Sequence, residues 1–213
     1  QIWLHEHRML LVHAEAQASL RKELIDSLGM DRARGLLTRM GYASGVRDAE
    51  LARTRAQSAG DIEAFMTGPK RHTLEGSVRV TPIKLELDRV KGNFYGEFLW
   101  ENSWEGQSHR HYFGIHHEPV CWTQIGYACG YTSAFMGRPI LYKEVECSGV
   151  GHDNCRIVGK PVEEWDDAGE DMRFLAPESI ADQLFDLQTQ VVQLRATIGE
   201  KEKLPIDMVG SSP

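Results

Sequence analysis

The sequence lacks a long hydrophobic run. Its 213 residues contain no apolar stretch of about 18 residues, the length that a membrane-spanning helix needs. It also lacks a leader with a basic start and an apolar core, although Gln1 indicates that the native start lies upstream. These absences predict a cytoplasmic protein without a membrane partner.

The sequence also lacks an excess of positive charge. Its formal net charge is -7, whereas binding to nucleic-acid phosphates needs a concentrated basic face. We therefore expect no direct nucleic-acid contact by this chain. The common nucleophile, nucleotide and metalloprotease signatures are missing as well, so no catalytic residue is assigned and an enzyme is not favoured.

Cysteines are few, and they stand at positions 121, 129, 147 and 155. A chain with 41% hydrophobic residues needs no disulfide scaffold, so metal binding or plain burial is favoured. Cys147 and Cys155 flank a glycine-rich connection, where two strands can present thiolates to zinc. Cys121 is a candidate third ligand, with either Glu144 or His152 as the fourth. The alternatives are a disulfide between the last two cysteines and unrelated free thiols.

Cys129 lies eight residues beyond Cys121. That spacing corresponds to about two helical turns, which is too far along the axis to reach the same ion. We predict a buried thiol outside the metal site.

The first part of the chain has helical spacing. Apolar residues recur at helical intervals over residues 2–29, and Gly29 is suited to end that helix. Asp31 is suited to cap a second helix, which contains glycines at 35, 41 and 45. Because such glycines either break a helix or let another backbone come very close, we expect two tightly packed pieces.

The middle of the chain alternates like a sheet. Residues 77–101 read as a hairpin around "DRVKG", and Phe94, Phe98 and Trp100 share a face on which Gly96 leaves a gap. That face is either core or the wall of a cavity. Residues 118–137 predict a helix started by Glu118 and Pro119, whose small residues would lie against the sheet, and "RPILYKEVEC" and "NCRIVGKP" predict two more strands. These small residues are Gly126, Ala128, Gly130 and Ala134.

Two further segments have open interpretations. A heptad pattern indicates either a coiled coil that links two subunits or a helix packed on its own domain; it consists of Ile180, Leu184, Leu187, Val191, Leu194 and Ile198. Four histidines, at 109, 111, 116 and 117, are interpreted as part of a polar loop of unassigned role. Together the elements predict an α+β fold with an N-terminal helical region, an antiparallel sheet with packed helices and a C-terminal linker helix.

Several segments resemble the N-terminal sensory domain of aromatic-responsive bacterial activators of sigma-54 RNA polymerase, the XylR/DmpR/MopR type of the NtrC family. They read "RMLLVHAEAQASLRKELIDSLGMDRARG", "GYASGVRDAELAR", "GPKRHTLEG", "EPVCWTQIGYACGYTSAFMGRPI", "KEVECSGVGHDNCRIVGKPVEEW" and "MVGSSP". The second half is similar to the broader 4-vinyl-reductase type of small-molecule-binding domain. The resemblance covers nearly the whole chain.

The resemblance implies two sets of site residues. One structural Zn²⁺ would be held by Cys121, Glu144, Cys147 and Cys155, which leaves His152 outside the ligand set. As in the phenol-responsive members, His72 in the turn and Trp100 on the aromatic strand would bind a phenol hydroxyl. Four aromatic side chains would wall the ring, namely Phe65, Phe98, Tyr131 and Tyr142.

The resemblance also implies an organisation. Residues 1–60 would be a helical dimerisation region, residues 61–165 the zinc-containing effector domain, residues 166–203 a linker with a coiled-coil helix, and residues 204–213 the start of an AAA+ ATPase domain. Phenol binding to this homodimeric sensor would relieve repression of the ATPase domain. The alternatives are a sensor of another aromatic compound such as xylene, toluene or hydroxybiphenyl, an enzyme acting on an aromatic substrate, and a structural dimerisation module.

Overall fold

A computed structural model describes residues 1–4, 7–177, 188–195 and 197–198 of the chain, with the backbone alone for Arg55 and residues 57–59. Residues 1–176 form one compact unit, and residues 177–213 form a second. In the second unit, residues 188–195 and 197–198 are helical, and the side chains of Val191, Leu194 and Ile198 are exposed. The other heptad residues lie outside the described residues, so the coiled coil stays a prediction.

The chain begins with a hairpin, so the prediction of a helix from residue 2 is wrong. Strand β1 (Ile2–Leu4) pairs antiparallel with β2 (His7–Met9), and helix α1 spans Ala14–Leu28. The first residues include Ile, Trp and His, which favour helix less than the Ala-, Glu- and Leu-rich segment that follows. Gly29 follows the last residue of α1, as predicted.

Helix α2 runs without a break over Met30–Ala59, so the expectation of two pieces is wrong. Gly29, and not Asp31, is its N-cap. The close backbone contact that glycines permit is present. A Cβ at Gly41 would lie 2.0 Å from the carbonyl oxygen of Thr123, so α2 lies directly against the helix that contains Thr123.

That partner is helix α6 (Trp122–Met136), which has glycines of its own at the contact. A Cβ at Gly126 would lie 2.0 Å from the Thr38 carbonyl oxygen, and one at Gly130 would lie 2.1 Å from the Tyr42 carbonyl oxygen. These glycines therefore face α2, and the prediction that they face the sheet is wrong for them. The two helices approach each other along reciprocal glycines, which leaves the opposite side of α6 for the sheet.

Helix α6 begins later than predicted because another residue holds its first turn. The Glu105 carboxylate accepts hydrogen bonds from the backbone N–H groups of Thr123 (3.1 Å) and Gln124 (2.9 Å), where the helix dipole favours an anion. Arg21 of α1 donates to the same carboxylate at 2.7 Å, and both side chains are buried. Cys121 consequently occupies the N-cap position, in place of a start at Glu118 and Pro119.

The sheet is antiparallel, as predicted, with strand order β3-β4-β6-β5. Its strands are β3 (Arg79–Asp88), β4 (Asn93–Glu101), β5 (Ile140–Glu146) and β6 (Cys155–Pro161). Strands β3 and β4 form the predicted hairpin, with a register shift between Pro82 and Lys84 on the edge strand. Shorter helices complete the unit: α3 (Asp61–Phe65), α4 (Thr67–Leu74), α5 (Trp104–Phe113) and α7 (Ala168–Met172).

This arrangement is the predicted α+β fold. Because α2 packs on α6, the predicted regions 1–60 and 61–165 belong to one compact unit; their boundary stays a prediction about function. Within the described part of the chain, no helix combines the length and apolar character needed to cross a membrane.

Candidate ligand pocket and metal site

A small cavity lies between α4, α6 and one face of the sheet, with a volume of about 30 Å³. All six residues predicted to bind a ligand line it: Phe65, His72, Phe98, Trp100, Tyr131 and Tyr142. The sequence did not indicate the other lining residues, which are Pro69, Val80, Tyr127, Ala128, Thr132 and Ile157. The aromatic face of β4 is therefore a cavity wall as well as core.

Two glycines in the sheet place one aromatic ring of the pocket. Gly159 on β6 pairs with Gly96 on β4 and with Tyr142 on β5. A Cβ at Gly159 would lie 2.3 Å from the Tyr142 ring, so the ring rests on bare backbone. The gap at Gly96, visible in the sequence, is filled by this neighbouring tyrosine.

The tyrosine hydroxyls of the pocket already have partners. Tyr131 donates to the Phe65 carbonyl oxygen at 2.8 Å, and Tyr142 accepts from Thr132 at 3.3 Å. Tyr127 donates to the carboxylate of Asp48 at 2.8 Å. These hydroxyls are fixed within the protein, so they are poorly available to a ligand.

His72 and Trp100 differ from the tyrosines. Each is buried, yet neither the imidazole nor the indole N–H makes a hydrogen bond with another described residue. Both residues line the cavity, and their ring nitrogens are not fully enclosed by protein atoms. A buried polar group without a partner is costly, so this pair suits a ligand with one donor and one acceptor.

The position of His72 was predicted incorrectly: the residue lies on helix α4 and not in a turn. Burial, together with the neighbouring Arg71 guanidinium, lowers the pKa of His72 to about 4. The imidazole is therefore neutral at ordinary pH, with one nitrogen that donates and one that accepts.

A second cluster lies beside the pocket on the same face of the sheet. Its members are the four residues predicted as metal ligands: Cys121, Glu144, Cys147 and Cys155. All four are buried, and one ligand atom from each lies within 4.8 Å of the others. The sulfurs of Cys121 and Cys155 are 3.7 Å apart, and none of the cysteines forms a disulfide.

The cluster has the chemistry of a metal site. Burial and the nearby Cys147 sulfur raise the pKa of Glu144, whose Oε1 atom has no hydrogen-bond partner in the described structure. Backbone N–H groups point at the sulfurs, from Ser148 to Cys155 at 3.2 Å and from Gly149 to Cys147 at 3.3 Å. Four acidic groups cannot all ionise in so small a buried volume unless a cation compensates them.

His152 is not part of this cluster. Its Nδ1 atom lies 3.2 Å from the backbone N–H of Cys147 and accepts from it, so the side chain supports the loop between the two cysteines. Cys129 is also outside, as predicted: its sulfur accepts from the backbone N–H of Tyr142 at 3.2 Å, and burial raises the pKa of its thiol to about 12.

The interpretation of the four histidines as one polar loop is wrong in part. His109 and His111 lie on helix α5, and His109 is fully buried with both ring nitrogens unpartnered in the described structure. The short segment "SHRHYF" carries no apolar stripe that would have indicated this burial. His116 and His117 follow the helix and lie closer to the surface.

An α+β domain with a buried aromatic pocket, a free donor and acceptor inside it and a closed cysteine cluster beside it is a small-molecule sensory domain. Known proteins agree with this class. Residues 1–88 match a family described as activator of aromatic catabolism, and residues 100–161 match the 4-vinyl-reductase type of domain. The chain belongs to the family of N-terminal sensory domains of XylR/MopR-type transcriptional activators.

Individual relatives define this family further. The chain is 40% identical over 215 residues to the phenol regulator MopR of Acinetobacter guillouiae, covering all of this chain and 38% of that protein. It is 43% identical over 195 residues to the transcriptional regulatory protein XylR of Pseudomonas putida, covering 92% of this chain and 34% of that protein. It therefore spans somewhat more than a third of these curated relatives.

A solved structure is more similar still. The crystal structure of the phenol-responsive sensory domain of the transcription activator PoxR with phenol has 55% sequence identity and a TM-score of 0.80. The match covers 83% of this chain and 88% of that one. The predicted family is confirmed, and the chain is a ligand-sensing regulatory domain of a transcriptional activator, not an enzyme.

Proposed function

We propose that this domain binds phenol or a small substituted phenol, with the hydroxyl between His72 and Trp100. The observation that carries the proposal is that these two polar groups line the cavity without a hydrogen-bond partner in the described structure. A phenol hydroxyl can accept from the indole N–H and donate to the unprotonated imidazole nitrogen. The phenol in the PoxR structure supports the same class of ligand.

The ring would lie among the four aromatic side chains. Phe65 contributes most to this wall, because its ring centroid lies 5.5 Å from that of Tyr131 and 6.5 Å from that of Phe98. Toluene has a similar shape but would leave the imidazole and the indole N–H unpaired. We therefore expect the pocket to discriminate in favour of the hydroxyl.

The size of the cavity has a consequence for signalling. A volume of about 30 Å³ holds about two water molecules. Binding of a phenol ring must therefore displace lining side chains, which would give the sensor a change to transmit.

We infer that the cluster binds one structural Zn²⁺. Three sulfurs and one carboxylate oxygen satisfy a tetrahedral ion and leave no open position. Cys155 lies opposite Trp100 in the β4–β6 ladder. The metal would thereby hold the end of β6, and with it the strand that bears the pocket tryptophan.

In the whole protein, we propose that this domain works as a homodimer and represses an adjoining AAA+ ATPase domain that acts on sigma-54 RNA polymerase. Effector binding would relieve the repression through residues 166–203. The much greater length of MopR and XylR supports the presence of further domains.

Calorimetric titration with phenol, and with toluene as the hydroxyl-free comparison, tests the ligand. We expect about one phenol per chain and much weaker toluene binding. The substitution His72→Ala should weaken phenol binding about tenfold or more through the loss of one buried hydrogen bond, while the zinc content stays unchanged. Equal affinity for the two ligands, or full phenol affinity in the variant, would refute the hydroxyl pair.

A further inference from the structure

Tyr127 has no role in the ligand contacts described so far, although it lines the pocket. Its ring centroid lies 3.9 Å from that of the His72 imidazole, at an interplanar angle of 39°. On its other side it stacks on Tyr131, at 5.8 Å and 8°. Because the imidazole makes no hydrogen bond with the described residues, packing must set the rotation of its ring.

The hydroxyl end of Tyr127 is anchored on helix α2. It donates to Asp48 Oδ2 at 2.8 Å, and Oδ1 of the same carboxylate pairs with Arg71 Nη1 at 2.7 Å. Asp48 is only 8% exposed. Hydrogen bonds to a buried charged group are stronger than neutral ones, so the ring of Tyr127 is held at its far end.

The backbone end of Tyr127 is held by the same helix. A Cβ at Gly41 would lie 2.9 Å from the Tyr127 nitrogen, and one at Gly45 would lie 2.3 Å from the Tyr127 carbonyl oxygen. Residues 41, 45 and 48 follow one another at helical spacing, so they form one stripe of α2. That stripe fixes both ends of the tyrosine.

Asp48 also acts on helix α4. Its partner Arg71 directly precedes His72, and Arg71 Nε pairs with Glu75 Oε1 at 2.8 Å one turn later. One carboxylate thus positions the tyrosine that contacts the imidazole and the helix that bears the imidazole.

We propose that Tyr127, anchored by Asp48, is a positioning residue that orients the His72 imidazole toward the ligand hydroxyl. The inference rests on the proposed function, because it assigns the orientation of a group that the function uses. It makes Tyr127 a determinant of specificity for hydroxylated rings, and not a general wall of the pocket.

The test compares phenol and toluene affinities by calorimetry on the 213-residue chain with its metal content assayed. Tyr127→Phe retains the ring and removes the anchor, so phenol affinity should fall about tenfold, the worth of one hydrogen bond, while toluene affinity changes little. Asp48→Ala should have the same effect. Asp48→Asn, whose amide oxygen still accepts from Tyr127, should retain most of the preference for phenol.

A double-mutant cycle separates positioning from general stability. In the background of His72→Ala, Tyr127→Phe should cause no further loss of phenol affinity, because the group that it positions is gone. Tyr142→Phe is the matched control, since it removes another buried pocket hydroxyl that does not contact His72.

The outcomes distinguish the two proposals. If the unmodified chain binds no phenol, the proposed function and this inference both fail. If it binds phenol but Tyr127→Phe weakens phenol and toluene equally, or the losses with His72→Ala are additive, the positioning role alone is refuted.

Discussion

The metal cluster and the aromatic pocket share one face of the same sheet, yet they are opposite kinds of site. Cys155 lies opposite Trp100 in the β4–β6 ladder, so the two sites meet at one residue pair. The cluster contains too many acidic groups for its volume and needs a cation. The pocket contains an uncharged donor and acceptor and needs a neutral ligand with a hydroxyl.

The difference extends to how each site is built. Three cluster members come from residues 144–155, one hairpin of adjacent strands, and only Cys121 comes from elsewhere. The pocket draws on α3, α4, α6, β4 and β5. A site built on one hairpin depends on local geometry, whereas the pocket depends on how α2, α4 and α6 pack. Perturbations of the two should therefore have separable effects.

The largest effect should come from the cluster. Cys155→Ser removes one thiolate, so the bound zinc should be lost together with the folding free energy that it supplies. We expect the free energy of unfolding to fall by about 5 kcal/mol, which lies in the range reserved for the loss of a metal or a similar feature. Chemical denaturation, with metal analysis of the purified chain, measures both quantities.

Cys129→Ser is the matched control for that variant. Its thiol is equally buried but lies outside the cluster, so the zinc should remain and the stability loss should be smaller. A wild-type chain that contains no metal, or a Cys155→Ser chain with full stability, would contradict the structural role.

A smaller effect should follow from moving the α6 wall of the pocket. A Cβ at Gly45 would lie 2.3 Å from the Tyr127 carbonyl oxygen and 2.6 Å from the Tyr131 nitrogen, and backbone atoms cannot yield cheaply. Gly45→Ala should therefore cost about 3 kcal/mol by overpacking and should weaken phenol binding, while the zinc content stays unchanged.

Gly35→Ala on the same helix provides the contrast. Its Cβ would meet only the end of the flexible Arg39 side chain, at 2.8 Å. The gain in helix propensity, up to about 1 kcal/mol, should leave this variant as stable as the original or slightly more so. Equal destabilisation by the two substitutions would show that the α2–α6 contact is not the cause.

The contrast between the sites also explains what the sequence could predict. Alternation identified the four strands of the sheet, and the spacing of Cys147 and Cys155 indicated two arms of one hairpin. The choice between Glu144 and His152 came only from the family resemblance, because spacing leaves both within reach of an ion. The structure shows the physical reason: the imidazole of His152 is used by the backbone of Cys147.

The pocket was accessible by resemblance, but its second layer was not. Tyr127 stands among small and apolar residues in a helix, and nothing in that pattern reveals that Asp48 lies beside its hydroxyl. Similarly, the glycines of α2 predicted either a break or a close contact, and only the reciprocal glycines of α6 decide between the two. Local patterns specify elements, whereas the partner of a buried polar group depends on packing between residues distant in sequence.

The smallest expected effect concerns protonation in the pocket. The folded-state pKa of His72 is about 4, below the ordinary value of 6.5. Between these values the unfolded chain binds a proton that the folded chain does not, so stability rises with pH and is lost as pH falls from 6.5 toward 4. The loss is at most about 1.4 kcal/mol per pH unit, or about 2 kcal/mol at pH 5. Denaturation of the original chain and of His72→Ala at pH 7 and pH 5 measures it as a difference, in which the similar contribution of His109 cancels. Phenol affinity should stay constant down to about pH 5, because the imidazole remains neutral; a decline near pH 6.5 would show that this histidine is solvated and not enclosed in the pocket.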